Sequence, residues 1–275
     1  MHGQQATFRA DVAGVNLDVA VTRGGRPVRG LTAADFVLTD NGVAQRVDSA
    51  ALETLPLSVF LVLDISGSIA GEKLQYLVAA SRALVDALKT GDRISLMTFA
   101  GRVAVPVPLT ADVATARDAI DHLATGGPTS LRDAAFTALQ LVPTDRTRPV
   151  VIVFSDGRDT ASWLSASDVL GAVQRAGVVV HAVELLEEGR DAQPSSPFLG
   201  ELVNASGGRR WSATSAVRLS GLFTAALDEM RSRYLLTYYP TSADREGWHP
   251  LAVRLAKVRA DVTHRPGYQV PAKAR

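Results

Sequence analysis

Apolar and polar positions alternate in two different ways along this chain. In the middle, apolar residues come in unbroken runs. Leu57–Leu63 is interrupted only by Ser58 and ends in Asp64. Pro149–Phe154 ends in Ser155-Asp156-Gly157, and Gly177–Val183 is a third such run. Continuous runs of this length predict strands buried on both faces, as in a parallel sheet. Between them lie stretches with helical spacing. Glu72–Lys89 places Leu74, Leu77, Val78, Ser81, Leu84, Val85 and Leu88 on one stripe, with Gly91 just beyond its end. Asp112–Leu123, Leu131–Val142, Ser165–Ala176 and Ala216–Arg231 read as further helices. Arg93–Phe99 reads as a strand, and Val103–Pro108 as an edge strand because of its prolines. Pro194–Gly200 reads as a loop and Gly208–Ser212 as a short strand.

Towards both ends the pattern changes to simple alternation. Thr7–Val12 and Val15–Thr22 alternate apolar and polar residues, which predicts half-buried strands. Leu31–Phe36 reads as a helical turn capped by Thr32. Asn41-Gly42 between Phe36–Asp40 and Val43–Val47 predicts a tight hairpin. Strand patterns return at Tyr234–Tyr239, Trp248–Leu255 and Ala260–His264. The implied fold is α/β: a doubly wound, mostly parallel sheet flanked by helices, plus a small β-sandwich built from both ends. The implied divisions are 1–55, 56–232 and 233–275, the first and last forming one β-unit, since chain ends commonly lie close together.

Composition narrows the function classes. The 275 residues are 47% hydrophobic and 21% charged, with a formal net charge of +1. Such a balance is ordinary for a globular protein and supplies no global field for nucleic acid. The segment from Arg231 onward carries nine Lys/Arg against Asp244, Glu246 and Asp261, and reads as a solvated face. The absence of cysteine excludes thiolate metal sites, thiol catalysis and disulfides. No apolar run is long enough for a membrane span, and Met1–Gln5 shows no signal-peptide pattern.

The chemistry concentrates where the buried runs end. In open parallel sheets, ligands sit beyond the carboxyl ends of the strands. Asp64-Ile65-Ser66-Gly67-Ser68 lies at one such end and Asp156 at another. The loop Thr125–Leu131 opens a helix on the same side and offers Thr129. Read alone, Asp64–Ser68 is equally a turn and a helix cap. With Thr129 and Asp156 it becomes two carboxylates and three hydroxyls, hard oxygen donors suited to Mg²⁺ or Mn²⁺.

These three elements, in this order, resemble the von Willebrand factor type A domain and its metal-ion-dependent adhesion site, over roughly residues 56–232. The resemblance implies that Ser66, Ser68 and Thr129 hold the cation directly or through water, and that Asp64 and Asp156 act beside them. It also implies an open position for a carboxylate of a partner protein, and no enzymatic activity. Pro128 stands where relatives often have Thr directly after the glycines, which leaves Ser130 as the alternative to Thr129. The flanks, Gly30–Gln45 and Tyr234–Pro240 with His264–Tyr268, are similar to a bacterial subfamily best known from acidobacterial genomes. Many of its members look exported, which implies a periplasmic or extracellular location.

A different class is a Mg²⁺-dependent hydrolase or phosphotransferase using Asp64. Gly-x-Ser-x-Gly, Gly-x-x-x-x-Gly-Lys-Ser/Thr and Gly-x-Gly-x-x-Gly are all absent, and an Asp64 nucleophile leaves Ser66, Ser68 and Thr129 unexplained as a set. A scaffold with a degenerate site is a third reading. Elsewhere the plainer assignments are preferred: His181 as a core histidine, Asp159 as a solvated loop charge, Asp133 as a carboxylate offsetting a helix dipole, Arg209-Arg210-Trp211 as a strand edge. Tyr234, Tyr238, Tyr239 and Trp248 are expected in the β-core.

Overall fold

A computed structural model describes residues 14–52, 55–145, 147–186, 197–241 and 246–270. The expected strand Thr7–Val12 lies outside them. The elements run β1 (Val15–Arg23), β2 (Arg26–Pro27), β3 (Phe36–Asp40), β4 (Val43–Gln45), β5 (Ser49–Leu52), β6 (Leu57–Asp64), α1 (Glu72–Asp86), β7 (Arg93–Phe99) and β8 (Val103–Thr110). They continue with α2 (Val113–Asp121), α3 (Leu131–Gln140), β9 (Arg148–Ser155), α4 (Ala166–Ala176), β10 (Val179–Leu185), α5 (Pro197–Ser206), β11 (Arg210–Ala213) and α6 (Leu219–Arg231). Last come β12 (Tyr234–Tyr238), β13 (Gly247–Leu255), β14 (Asp261–Thr263) and β15 (Gly267–Val270).

The central sheet has the order β11-β10-β9-β6-β7-β8, and only β8 runs antiparallel to its neighbour. All eight residues of β6 are buried, because both faces of the sheet are covered. Leu57, Val59, Leu61 and Leu63 pack with α1, α2 and α6. Phe60 and Val62 face the other way, onto α3, α4 and α5. Each large apolar side chain so buried contributes roughly 1.5–3 kcal/mol. From β6 the chain builds outward through β7 and β8, then crosses back to β9 on the other side of β6. The crevice beyond the carboxyl ends of β6 and β9 is therefore the topological switch point of the sheet.

The remaining strands form two sheets, β14-β1-β12-β5 with β2 on β1, and β15-β13-β3-β4. They share a core that includes Leu17, Val19, Phe36, Leu38, Tyr234, Leu236 and Tyr238. Within this sandwich the Asp40 carboxylate is buried and accepts from Tyr238 Oη (2.9 Å) and Tyr268 Oη (2.8 Å), with His249 Nδ1 at 2.9 Å. The hairpin between β3 and β4 turns at Asn41 (φ 51°) and Gly42 (φ 79°), the positive angles that Asn-Gly supplies.

Three expectations need correction. Pro197–Ser206 is a helix, although Pro194–Gly200 reads as a loop. Proline suits a first helical turn, where its missing N–H costs nothing, and Phe198, Leu199, Leu202 and Val203 are buried along one face. Residues 194–196 lie outside the described positions. Tyr239 and Trp248 are exposed rather than in the core. Strand alternation sends Tyr234, Leu236 and Tyr238 inward, and Tyr239 follows on the other side. Asp159 is not simply solvated: it pairs with Arg132.

Candidate metal centre

Three loops meet at the switch point, and backbone hydrogen bonds hold them together. Gly126 N–H donates to Ile65 O (2.9 Å) and Gly67 N–H donates to Gly127 O (3.1 Å). Those bonds join the Asp64–Ser68 loop to the Thr125–Leu131 loop. Gly127 has φ 81°, a conformation that a side chain would strain. Ser130 N–H donates to Ala100 O (2.8 Å), anchoring the same loop to the end of β7. On its other side, Thr160 N–H and Ala161 N–H both donate to Thr129 O (2.9 Å each), and Thr129 N–H donates to Thr160 Oγ1 (2.9 Å). The Asp156 loop is thereby tied to Thr129.

This frame brings the five expected residues together at one end of the sheet. Asp64 is fully buried, and Ser66, Thr129 and Asp156 nearly so, while Ser68 is exposed. Ser66 Oγ and Ser68 Oγ lie 3.1 Å apart. Asp64 Oδ1 accepts from Ser66 N–H (2.9 Å) and Oδ2 accepts from the Ser155 hydroxyl (2.7 Å). The Thr129 hydroxyl makes no hydrogen bond to the described residues, and the Ser130 hydroxyl does not cap α3. Burial pushes the Asp64 carboxyl up, and the charge of Asp156 adds to this, against the pull of the hydrogen bonds from Ser66 and Ser155.

Ser155 is a participant that the sequence reading missed. It sits in register as the last residue of β9, where it looks like a strand position. Its place immediately before Asp156 was the available signal. Asp133 also does more than offset a dipole: its carboxylate accepts from Trp163 N–H (3.0 Å) and Leu164 N–H (3.0 Å), fixing the loop after Asp156. His181 is a buried core histidine. Its Nδ1 accepts from Arg209 N–H (3.0 Å), so the neutral ring carries its hydrogen on Nε2, 2.9 Å from Glu229 Oε2.

The donor chemistry suits a hard divalent cation. Among the described residues no group of three or more His, Cys, Asp or Glu converges, so any cation here is held by mixed carboxylate and hydroxyl oxygens. Among the same residues, no Lys, Arg or His forms an ion pair with Asp64. A buried carboxylate beside a second one, with no cationic partner of its own, is electrostatically incomplete. A bound divalent cation would complete it.

A sequence pattern described as the von Willebrand factor type A domain matches residues 59–158. The α/β unit has the von Willebrand factor type A fold. The chain is 27% identical over 195 residues to a UPF0353 protein of Mycolicibacterium gilvum, an alignment covering 60% of this chain and 58% of that relative. It therefore spans under two thirds of that relative's length. Among solved structures it resembles a von Willebrand factor type A protein from Catenulispora acidiphila, with TM-score 0.55 and 13% identity over 95% of this chain and 74% of that one. It also resembles proximal thread matrix protein 1 of the mussel byssus, solved with a zinc-occupied MIDAS motif, with TM-score 0.55 and 20% identity over 68% of this chain and 48% of that one. At these identities the two structures establish the type A fold.

Proposed function

We propose that this chain is a divalent-cation-dependent protein-binding module, with Asp64, Ser66, Ser68, Thr129 and Asp156 forming a metal-ion-dependent adhesion site for Mg²⁺ or Mn²⁺. The observation that carries the reading is the fully buried Asp64, without an ionic partner among the described residues, set among the hydroxyls of loops stitched together at the switch point. The bound cation supplies an electrophilic docking point for a partner's carboxylate oxygen. The protein's own residues hold that point still: Ser155 and Ser66 N–H fix the Asp64 carboxylate, and Thr160 and Ala161 fix the backbone of Thr129. The zinc-occupied site of the mussel protein supports the same reading by likeness of fold.

The reading is binding rather than catalysis. Both oxygens of Asp64 already accept hydrogen bonds, which suits a fixed anchor better than a nucleophile. The division at 55/56 and 232/233, with the outer parts joined as one sandwich, and an exported location belong to the same proposal. Thermal melting with Mg²⁺, Mn²⁺ or EDTA tests it. The cations raise the midpoint of the wild type, because a ligand that binds only the folded state stabilises it by mass action. The rise is absent in Asp64→Ala and Ser66→Ala. No rise in the wild type, or an equal rise in the variants, rejects the metal site.

A further inference from the structure

The side chain of Trp163 is 96% exposed, more than any other large apolar residue among those described. An isolated indole in water is common on a floppy loop, but this loop is held. Trp163 N–H and Leu164 N–H both donate to the Asp133 carboxylate. Ser162 donates to Asp159 from its N–H (3.1 Å) and its hydroxyl (2.7 Å). Asp159 in turn accepts from Arg132 N–H (2.9 Å) and Arg132 Nε (3.1 Å), at the first turn of α3. The Ser162 hydroxyl also accepts from Arg132 N–H (3.1 Å). The indole is thus presented from a loop locked onto the start of α3, and that loop also carries Asp156.

Its place is next to the cation loops. Ala161 N–H is bonded to Thr129 O, and Trp163 is two Cα steps further, at most roughly 8 Å. Positive charge stands at the cation loop itself, where Lys73 Nζ donates to Ser68 O (3.1 Å). Trp is among the side chains that most often carry binding energy at an interface, and here polar Ser162 and Ser165 flank it in the chain. A membrane anchor needs a broader apolar face, and here the neighbours of Trp163 are polar or part-buried.

Resting on the cation site proposed above, we propose that Trp163 is the second anchor of the partner-binding surface. The partner is an extended acidic segment of a protein. One carboxylate docks at the cation, and an apolar side chain about two to four residues away packs on the indole, a span set by roughly 3.3 Å of extended chain per residue. The cation alone accepts any accessible carboxylate. The indole makes the site selective for an acid with an apolar neighbour at a fixed offset.

A random linear peptide display library, panned on the full chain in Mn²⁺ and in EDTA, tests this. The wild type selects, only in Mn²⁺, an Asp or Glu with an apolar residue at one fixed offset. Trp163→Ala binds the selected peptide about 30-fold or more weakly, and Trp163→Phe recovers part of the loss. Melting of each variant with and without Mn²⁺ shows separately whether the cation site is intact. Selection of acids with no apolar preference, or unchanged affinity in Trp163→Ala, overturns the role of Trp163 and leaves the cation site standing. Loss of the Mn²⁺ response in Trp163→Ala also overturns it, because the residue is then structural. No Mn²⁺ response in the wild type overturns the cation site itself, and this inference with it. Failure to select peptides, alongside Trp163-dependent binding to phosphatidylserine vesicles, overturns the protein partner in favour of a lipid surface.

Discussion

The Ser155 hydroxyl donates to Asp64 Oδ2 at 2.7 Å, from the strand beside the one that Asp64 ends. Both groups are fully buried, so neither can turn to water for a replacement. Ser155→Ala leaves a buried carboxylate oxygen without its donor, a loss of roughly 1–3 kcal/mol. Urea denaturation checks this, the expected outcome being a lower midpoint at unchanged slope.

The hydroxyls of Thr129 and Ser130, which make no hydrogen bond among the described residues, give separable predictions. Thr129→Val keeps the shape and removes the oxygen. At a cation concentration of a hundred times the dissociation constant, the wild type gains about 2.7 kcal/mol. Thr129→Val loses most of that gain, whereas Ser130→Ala keeps it. The reverse result, read by calorimetry in Mn²⁺, makes Ser130 the third-loop ligand.

Acid weakens the contact between α6 and the sheet. Burial alone would push the Glu229 carboxyl up, but the hydrogen bond with His181 and the charge of Arg233 outweigh it and bring it to about 2. Burial likewise pushes His181 below the usual histidine range. Both folded values are depressed, so the unfolded chain binds more protons and stability falls with falling pH. The His181 contribution declines first, below about pH 6.5. The Glu229 contribution is full above about pH 4.5, its ordinary value, and is lost as pH falls towards about 2. Midpoints measured across this range decline in two stages, and His181→Gln flattens the first.

Gly208 lies against the sheet with no room for a side chain. A Cβ there would meet Val180 O at 1.9 Å, and backbone cannot swing aside as a side-chain tip can. Gly208→Ala therefore costs more than about 3 kcal/mol, at the severe end of point substitutions. Gly126→Ala is the control, since no heavy atom lies within 4 Å of its Cβ position. Its melting midpoint stays close to that of the wild type.

The central sheet was readable because β6, β9 and β10 are buried on both faces, so their apolar runs are unbroken. Asp64 and Asp156 were expected close together because each stands at or just beyond the end of a buried strand, β6 and β9, whereas Thr129 is reached through the loop that opens α3. What escaped depended on tertiary partners. The start of α5 hides behind Pro197 and Gly200, two residues that punctuate most helices but fit here, Gly200 lying close to the Arg210 side chain. Ser155 looks like one more strand residue until β6 and β9 are side by side. The pairing of Asp159 with Arg132, and of Asp133 with the backbone at Trp163, spans about thirty positions of sequence that no local pattern connects.

Leu52 of β5 is the register partner of Tyr234 of β12. In strand terms these two form a hairpin whose connecting turn is the entire α/β unit. Both covalent links of that unit to the sandwich therefore leave through antiparallel neighbours, side by side and at the same end, so any movement of one unit against the other acts on β5 and β12 together.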